Sequence, residues 1–328
     1  MLNKVLPVLL LVCAPALAAK PVLTVYTYDS FAAEWGPGPA VKKAFEAQCG
    51  CELKYVALED GVSLLNRVRM EGKNSKADIV LGLDNNLVQA AEQTGLFAPS
   101  QVDTRTLQLP DGWHNSTFIP FDYGYFAFVY DKTKLKNPPK SLRELAESPE
   151  KWRVIYEDPR TSTPGLGLLL WMQKVFGEHA DQAWQKLAAK TVTVTKGWSE
   201  AYGLFLKGEG DLVLSYTTSP AYHLIEEKKD QYAAAPFSEG HYLQVEVAAR
   251  LAGSQQPQLA QQFMQFMVSP AFQQTIPTGN WMYPVIKTAL PAGYATLPVP
   301  ADALQFTPAE VAEHRAAWIR TWQQAVSR

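Results

Sequence analysis

The sequence has almost no excess of charge of either sign. Across 328 residues the formal net charge is −2, and charged residues make up only 19% of the chain. A nucleic-acid partner usually requires a basic face, so this balance argues against one. Hydrophobic residues make up 47%, which favours a sizeable buried core and argues against disorder. The length suggests two domains of ordinary size.

Long apolar runs are also missing, apart from one short run near the N-terminus. Residues 5–12 are apolar, the basic residue Lys4 precedes them, and the small-residue segment 16–18 follows. The run is too short to span a bilayer, and the pattern is typical of a secretory signal peptide. We therefore predict a signal peptide at residues 1–18, cleaved after residue 18 or 19, and an exported, soluble mature chain.

Cysteine is rare, with three in the chain. Cys13 falls in the predicted signal peptide, and Val12 before it is not the small residue that lipid modification requires. The other two, Cys49 and Cys51, flank Gly50, which lets the backbone bend into a tight ring. In an oxidising compartment we predict a structural disulfide. A redox pair and a metal site are the alternatives, but no further ligand lies nearby.

Catalytic and metal-binding signatures are missing as well. The chain has no Walker loop, no G-x-S-x-G motif and no zinc motif. Its five histidines lack metal-ligand spacing, so we predict surface or capping roles for them and neither a metal nor a cofactor. Glu59 and Asp60 are candidate catalytic carboxylates, but adjacent side chains usually point apart and no partner base is evident.

What the sequence does have is a series of strand–loop–helix units. Apolar runs with a period near two, such as Val22–Tyr28 and residues 77–83, end in polar loops and are followed by segments with a period near 3.6. These units predict an α/β fold with mostly parallel sheets flanked by helices. A last helix is predicted at about Pro308–Val326, with Thr307 as N-cap and Glu310 completing a capping box.

Two long extended stretches, residues 118–135 and 232–251, interrupt these units. They fit a chain that crosses twice between two lobes. We place residues 19–121 and 237–328 in lobe one and residues 122–236 in lobe two, and leave the lobe of the C-terminal helix open. Ligands of open α/β sheets lie outside the carboxyl ends of the strands. Two facing lobes therefore predict a cleft that closes by hinge motion.

The loops at these carboxyl ends carry aromatic rings, hydroxyls and a few carboxylates. Aromatic faces attract cations, and a carboxylate among them pairs with charge or accepts hydrogen bonds from an amino-heterocycle. The alternative is that the rings belong to the core. That alternative is weaker for rings after strand ends or turns, which are Trp198, Tyr216, Tyr222 and Trp281. We assign the other candidates to the core, namely Trp113, Trp171, Trp318 and Trp322.

Hydroxyl residues 161–163 precede Pro164 and a helical run. Free backbone N–H groups at a helix start bind anions, although ordinary N-capping explains the same residues. An anion-binding corner beside a cation-binding wall would suit a cationic aromatic ring that carries a phosphate or hydroxyl tail.

Six segments together carry a resemblance to a known family. They are VLTVYTYDSFAAEWGPGP, VALEDGVSLLNR, DPRTSTPGLGLLLWMQKV, TVTKGWSEAYGLFLKGE, LVLSYTTSPAYH and PTGNWMYPV. The whole mature chain resembles the periplasmic thiamine-binding proteins of bacterial ABC importers. The resemblance implies a type II periplasmic-binding-protein fold with two hinge crossovers. It also implies a monomer without enzymatic activity, which delivers thiamine, thiamine monophosphate or thiamine diphosphate to an inner-membrane permease.

The resemblance further implies a set of ligand contacts. They are Asp60, Gly61, Ser162, Thr163, Trp198, Tyr216, Thr217, Thr218 and Ser219, with Tyr28, Tyr222 and Trp281 as aromatic walls. Within this set we expect Asp60 to face the cationic or amino groups of the ligand. We expect Ser162, Thr163 and the Trp198 indole N–H to hold the phosphate or hydroxyl end. Met282 and Tyr283 are expected to support Trp281.

Two other functions compete with this one. Thiaminases of type I resemble the same two-lobed fold and use a cleft cysteine, whereas Cys49 and Cys51 precede a strand and are expected at the opposite end of the sheet. Binding of another cationic solute or of ferric ion is the second alternative, although clusters of oxygen ligands with neighbouring tyrosines are not evident.

Overall fold

A computed structural model describes residue 15 and residues 17–328; most of the predicted signal peptide lies outside the described residues. The strands are β1 Val22–Tyr28, β2 Glu52–Leu58, β3 Ile79–Asp84, β4 Phe97–Ala98, β5 Ile119–Asp131, β6 Val154–Glu157, β7 Thr191–Thr195, β8 Leu212–Tyr216, β9 Tyr232–Ala234, β10 His241–Leu251, β11 Tyr283–Pro284 and β12 Ala303–Leu304. The helices are α1 Asp29–Ala32, α2 Gly38–Cys49, α3 Gly61–Glu71, α4 Val88–Glu92, α5 Leu142–Glu147, α6 Thr163–Phe176, α7 Ala180–Ala188, α8 Trp198–Leu206, α9 Ser219–Glu226, α10 Pro257–Met267, α11 Pro270–Gln273 and α12 Pro308–Val326. Within the described residues, no helix combines the length and the apolar character that crossing a membrane requires.

Two sheets share one long strand. The first sheet has the order β2-β1-β3-β10-β5, and the second continues as β5-β8-β6-β7. Strand β5 pairs with β10 through Tyr125 and with β8 from Phe126 onward, so the chain passes from one sheet into the other without a break. The strands of the strand–loop–helix units pair in parallel, as the sequence predicts, whereas β5 and β10 run antiparallel to each other and to β8 and β3. Each sheet is therefore mixed.

Helix α6 shows why the core forms where it does. Its sequence TPGLGLLLWMQKVF is apolar nearly all round, and eleven of its residues are buried. A helix that is apolar on every face requires cover on every face. The predicted core positions Trp171 and Trp322 are 0% and 3% exposed, and Trp113 and Trp318 are partly buried against the same core. His223 and His241 are also buried, which corrects the surface role predicted for the histidines, because each finds hydrogen-bond partners inside.

The C-terminal helix α12 contacts both halves of the molecule. The predicted capping box of Thr307 and Glu310 is present. The helix packs against α4, which follows β3, and against α6 and α7, which flank the second sheet. Near its end the Trp322 indole N–H donates to the Tyr156 hydroxyl at 3.0 Å.

Cys49 and Cys51 form a disulfide at the end of α2. The bridge directly precedes β2, whose other end leads to Asp60. It therefore lies at the amino end of the strand, away from the carboxyl ends where the sheets face each other.

Candidate functional site

A cavity of about 330 Å³ lies where the carboxyl ends of the two sheets meet. Strands β1 and β8 bring Tyr28 and Tyr216 to it as their last residues, and Asp60 follows β2. Eight of the twelve predicted contact residues line it: Tyr28, Asp60, Thr163, Trp198, Tyr216, Ser219, Tyr222 and Trp281. Residues far apart in the chain thus converge because parallel strands present their carboxyl ends at one edge.

The other four predicted residues lie behind the cavity wall. A side chain on Gly61 would come within 2.4 Å of Thr163 Cγ2, so glycine permits the close approach of the two halves here. Ser162 is the N-cap of α6, and its hydroxyl accepts from the Gly165 N–H at 3.1 Å. Thr218 donates its hydroxyl proton to the Trp281 carbonyl at 2.5 Å. Thr217 is buried, and its hydroxyl oxygen finds no partner in the described part of the chain.

Asp60 joins the two halves of the molecule. Its carboxylate accepts from its neighbour Gly61 N–H at 2.7 Å, from the Thr163 hydroxyl at 3.2 Å and from the Trp198 backbone N–H at 3.0 Å. Burial raises the pKa of Asp60 to about 6, although these hydrogen bonds act in the opposite direction. The carboxylate is stabilised here because the starts of α3 and α8 both offer free N–H groups.

These contacts differ from the prediction that Asp60 and the hydroxyl groups bind opposite ends of a ligand. Asp60 was expected to face one end of a ligand, with Ser162 and Thr163 at the other, but its carboxylate lies in the same corner as Thr163. The Trp198 indole N–H was expected to hold the ligand's tail, but it donates to Ser215 Oγ at 2.8 Å. The Thr163 hydroxyl and the Trp198 indole N–H are therefore already engaged within the protein when the two halves touch.

Three helices begin at this cavity. Thr163, Trp198 and Ser219 are the first residues of α6, α8 and α9, and all three line the cavity. Helix N-termini carry partial positive charge and unsatisfied N–H groups, so their convergence favours negative charge. The carboxylate of Asp60 supplies part of this favoured negative charge.

Aromatic faces form the remaining walls. Tyr222 and Trp281 meet edge to face with ring centroids 5.4 Å apart. On the other side Trp198 stacks on Tyr202, with ring centroids 5.1 Å apart. Trp35 packs against Trp198 in a tilted arrangement, with ring centroids 6.3 Å apart. No lysine, arginine or histidine from residues 17–328 lines the cavity. A cation would therefore meet rings and carboxylates and no basic side chain of the described residues.

Trp281 has an unusual backbone. It ends a π-helical turn at Ile276–Asn280 with φ 56° and ψ 44°, a left-handed conformation that costs a non-glycine residue about 1–2 kcal/mol. Hydrogen bonds hold it there, since its N–H donates to the Ile276 carbonyl at 3.0 Å and its carbonyl accepts from Thr218. The next two residues lie differently: Met282 is 2% exposed and itself lines the cavity, and Tyr283 stacks on Tyr123 with ring centroids 5.3 Å apart.

The sequence analysis missed several residues of the site, and two carboxylates are the most important. Glu246 lines the cavity from β10, and Asp122 lies opposite it on β5. Asn280 Nδ2 donates to Asp122 at 2.6 Å, and Tyr28 donates to Glu246 at 2.9 Å. Both acids lie within extended stretches rather than in loops. The sequence feature that could have identified them is an acidic residue in the middle of an otherwise apolar strand.

Comparisons with known proteins agree with this geometry. Residues 33–274 match the family described as bacterial extracellular solute-binding proteins. The chain is 77% identical, over all of both chains, to proteins of Salmonella typhimurium and Escherichia coli that are each named thiamine-binding periplasmic protein. A solved structure described as a periplasmic thiamin binding protein has a TM-score of 0.93 at 78% identity, covering 94% of this chain and 97% of its own. The resemblance found in the sequence is confirmed, and the chain belongs to the family of bacterial extracellular solute-binding proteins.

Proposed function

We propose that this chain is a periplasmic solute-binding protein that captures thiamine between its two halves and delivers it to the permease of an ABC importer. The observation that carries the proposal is the cavity at the junction of the two sheets, walled by aromatic rings and floored by carboxylates. Relatives at 77% identity are named for thiamine binding and for the periplasm, which supports both the ligand and the location.

The charge of the cavity suits the thiazolium ring. A cation over an aromatic face gains roughly 0.5–2 kcal/mol, and more when water is excluded. The rings of Tyr222 and Trp281 meet at one wall, and those of Trp198 and Tyr202 at another. A flat cationic ligand between such walls is held without a metal or a cofactor.

Thiamine monophosphate and thiamine diphosphate are proposed as further ligands. Their phosphates would lie at the converging starts of α6, α8 and α9, where backbone N–H groups bind anions. Asp60 occupies part of this corner, so a phosphate must share it with a carboxylate. We therefore expect the phosphorylated ligands to bind with the two halves slightly further apart than thiamine does.

We also propose that lobe one, residues 19–121 and 237–328, and lobe two, residues 122–236, move about β5 and β10. Contacts across the cleft support this division, because Asp60 hydrogen-bonds to Thr163 and Trp198, and Ser199 donates to Asp29 at 2.9 Å. Helix α12 contacts both halves and would hold one face of the hinge together. The closed monomer is the form that the permease would recognise.

Titration calorimetry of the mature protein tests the ligand. Thiamine should bind one to one and quench tryptophan fluorescence, because tryptophans line the cavity. The ligand should be recovered unchanged, since the named relatives are binding proteins. Ferric citrate, a polyamine and choline serve as controls. Heat and quenching from one of these, with none from thiamine, would contradict the proposal.

A further inference from the structure

The acid pair consists of Glu246 of β10, at the floor of the cavity, and Asp122 of β5, which lies behind it. The two residues are direct partners in the antiparallel register of the crossing strands. Asp122 is 0% exposed and Glu246 is 5% exposed, and Glu246 lines the cavity. Asn280 Nδ2 lies 2.6 Å from Asp122 Oδ2 and 3.2 Å from Glu246 Oε2, so one amide donates to both acids.

The protein leaves hydrogen-bonding capacity in this pair unused. The bonds from Tyr28 and Asn280 to Glu246 both end on Oε2. Asp122 Oδ1 is buried and has no partner among residues 17–328. Asp122 does not line the cavity, so the oxygen within reach of a ligand is Glu246 Oε1. Buried polar atoms in folded proteins are almost always hydrogen-bonded, so a carboxylate oxygen with free capacity at the surface of a cavity points to a donor on the ligand.

The charge of the pair fits a hydrogen-bond donor better than a full positive charge. Like charges directly opposite each other on paired strands repel. Burial and the neighbouring Asp122 raise the pKa of Glu246 well above its usual range, so the pair favours sharing a proton over carrying two full charges. The other titratable groups that face the pair are Tyr28, Tyr216 and Asp84.

We propose that Glu246, with Asp122 behind it, recognises the exocyclic amino group of the aminopyrimidine ring, an assignment that rests on the proposed function. The quaternary thiazolium nitrogen has no hydrogen to donate, so aromatic faces suffice for it. The amino group donates two hydrogens and requires acceptors, which the walls of tyrosine and tryptophan rings supply poorly. This pair is therefore the part of the cavity that distinguishes thiamine from analogues altered at the pyrimidine.

Oxythiamine tests this assignment, because a carbonyl oxygen replaces the amino group and would face the acids as a second acceptor. The wild-type protein should bind thiamine at least about tenfold more tightly than oxythiamine. In Glu246→Gln the preference should fall to within about threefold, because an amide at the cavity surface donates to the carbonyl as well as it accepts from the amine. Glu157→Gln is the matched control: Glu157 is another fully buried acid, it does not line the cavity, and the preference should be unchanged.

Equal losses for thiamine and oxythiamine in Glu246→Gln, with the preference intact, would overturn the assignment. A wild-type protein that binds both ligands equally would overturn it without any variant, so the test does not depend on how the variants fold. If the wild-type protein binds neither ligand, the proposed function itself fails, which is a distinguishable result.

Discussion

At the scale of single residues, the site depends on side chains whose neighbours leave them little freedom. Trp281 is held in a left-handed conformation by Ile276 and Thr218, so its ring direction is set before a ligand arrives. A ring fixed in advance loses less entropy on binding than a mobile one. Strain at Trp281 is therefore located where it orients a wall of the cavity.

Removing one wall ring should weaken binding without unfolding the protein. We expect Trp281→Ala and Tyr222→Ala each to reduce thiamine affinity by roughly 1–2 kcal/mol, about tenfold, if the rings face a cation. Calorimetry and thermal unfolding of the same samples measure both quantities. Trp318→Ala is the control, since this partly buried ring lies outside the thiamine cavity. Strong destabilisation with unchanged affinity would place the two rings in the core instead.

Glu157 tests the energetics of an unpartnered buried acid. It is 0% exposed, and neither carboxyl oxygen has a hydrogen-bond partner in the described part of the chain. Burial raises its pKa well above the usual range. An unsatisfied buried polar group costs roughly 1–3 kcal/mol, so Glu157→Met, of similar length, should stabilise the protein by about that amount. Urea unfolding at pH 7 checks this, and a destabilised variant would reveal a partner such as a buried water.

At the scale of elements, the cavity lies where helix N-termini and the carboxyl ends of strands come together. Helices α6 and α8 direct their N-termini at Asp60, which occupies the corner where a phosphate is proposed. The negative charge of Asp60 and that of a phosphate therefore compete for the same dipoles. The relative affinity for phosphorylated and unphosphorylated ligand should depend on this one carboxylate.

Asp60→Asn should shift that ratio toward thiamine diphosphate. Removing a charge near a phosphate is worth a few kcal/mol at most at an effective dielectric constant near 20, so we expect a shift of about tenfold. Thr163→Val is the matched variant, because it removes a hydrogen bond to Asp60 but leaves the charge. Titrations at pH 7.5 and one fixed salt concentration keep screening constant. A ratio that moves toward thiamine would show that the phosphate lies elsewhere.

Much of the architecture could be predicted from local sequence patterns. The strand–loop–helix units, the capping box of α12 and the gathering of Tyr28, Trp198 and Tyr216 follow from periodicity and turn residues. The acid pair could not be found this way, because Asp122 meets Glu246 only through the register of two strands distant in sequence. The partners of Asp60 were missed for the same reason, since they lie on helices of the other sheet.

At the scale of the whole molecule, the site places several carboxylates in a poorly solvated interior. Burial raises the pKa of Asp84 to about 7, and that of Glu157 and Glu246 well above the usual range. Such groups retain protons in the folded protein that the unfolded chain has already lost. Burying these acids around the cavity therefore lowers the free energy of unfolding.

Stability should accordingly fall as pH rises. Where the folded protein binds more protons than the unfolded chain, the free energy of unfolding decreases with pH. Between pH 6.5 and 8.5 Asp84, whose pKa is about 7, titrates in the folded protein. His223 and His241, whose pKa values burial lowers, act in the opposite direction near pH 6.5, because an unfolded histidine is about half protonated there. We expect a loss of roughly 1–3 kcal/mol over this range. Urea unfolding at both pH values measures it, and a flat or rising profile would contradict the buried-acid account.

The contact between Trp35 and Trp198 should produce an optical signal that depends on whether the cleft is open or closed. The two indoles belong to opposite sides of the cavity, one after β1 and one at the start of α8, and their centroids are 6.3 Å apart at an interplanar angle of 51°. Chromophores this close and tilted couple their electronic transitions, which produces paired bands of opposite sign in circular dichroism. Because hinge opening would separate the rings, this couplet should strengthen when thiamine closes the cleft and vanish in Trp35→Phe. The protein would then report its own closure in unlabelled solution, without dye or spin probe.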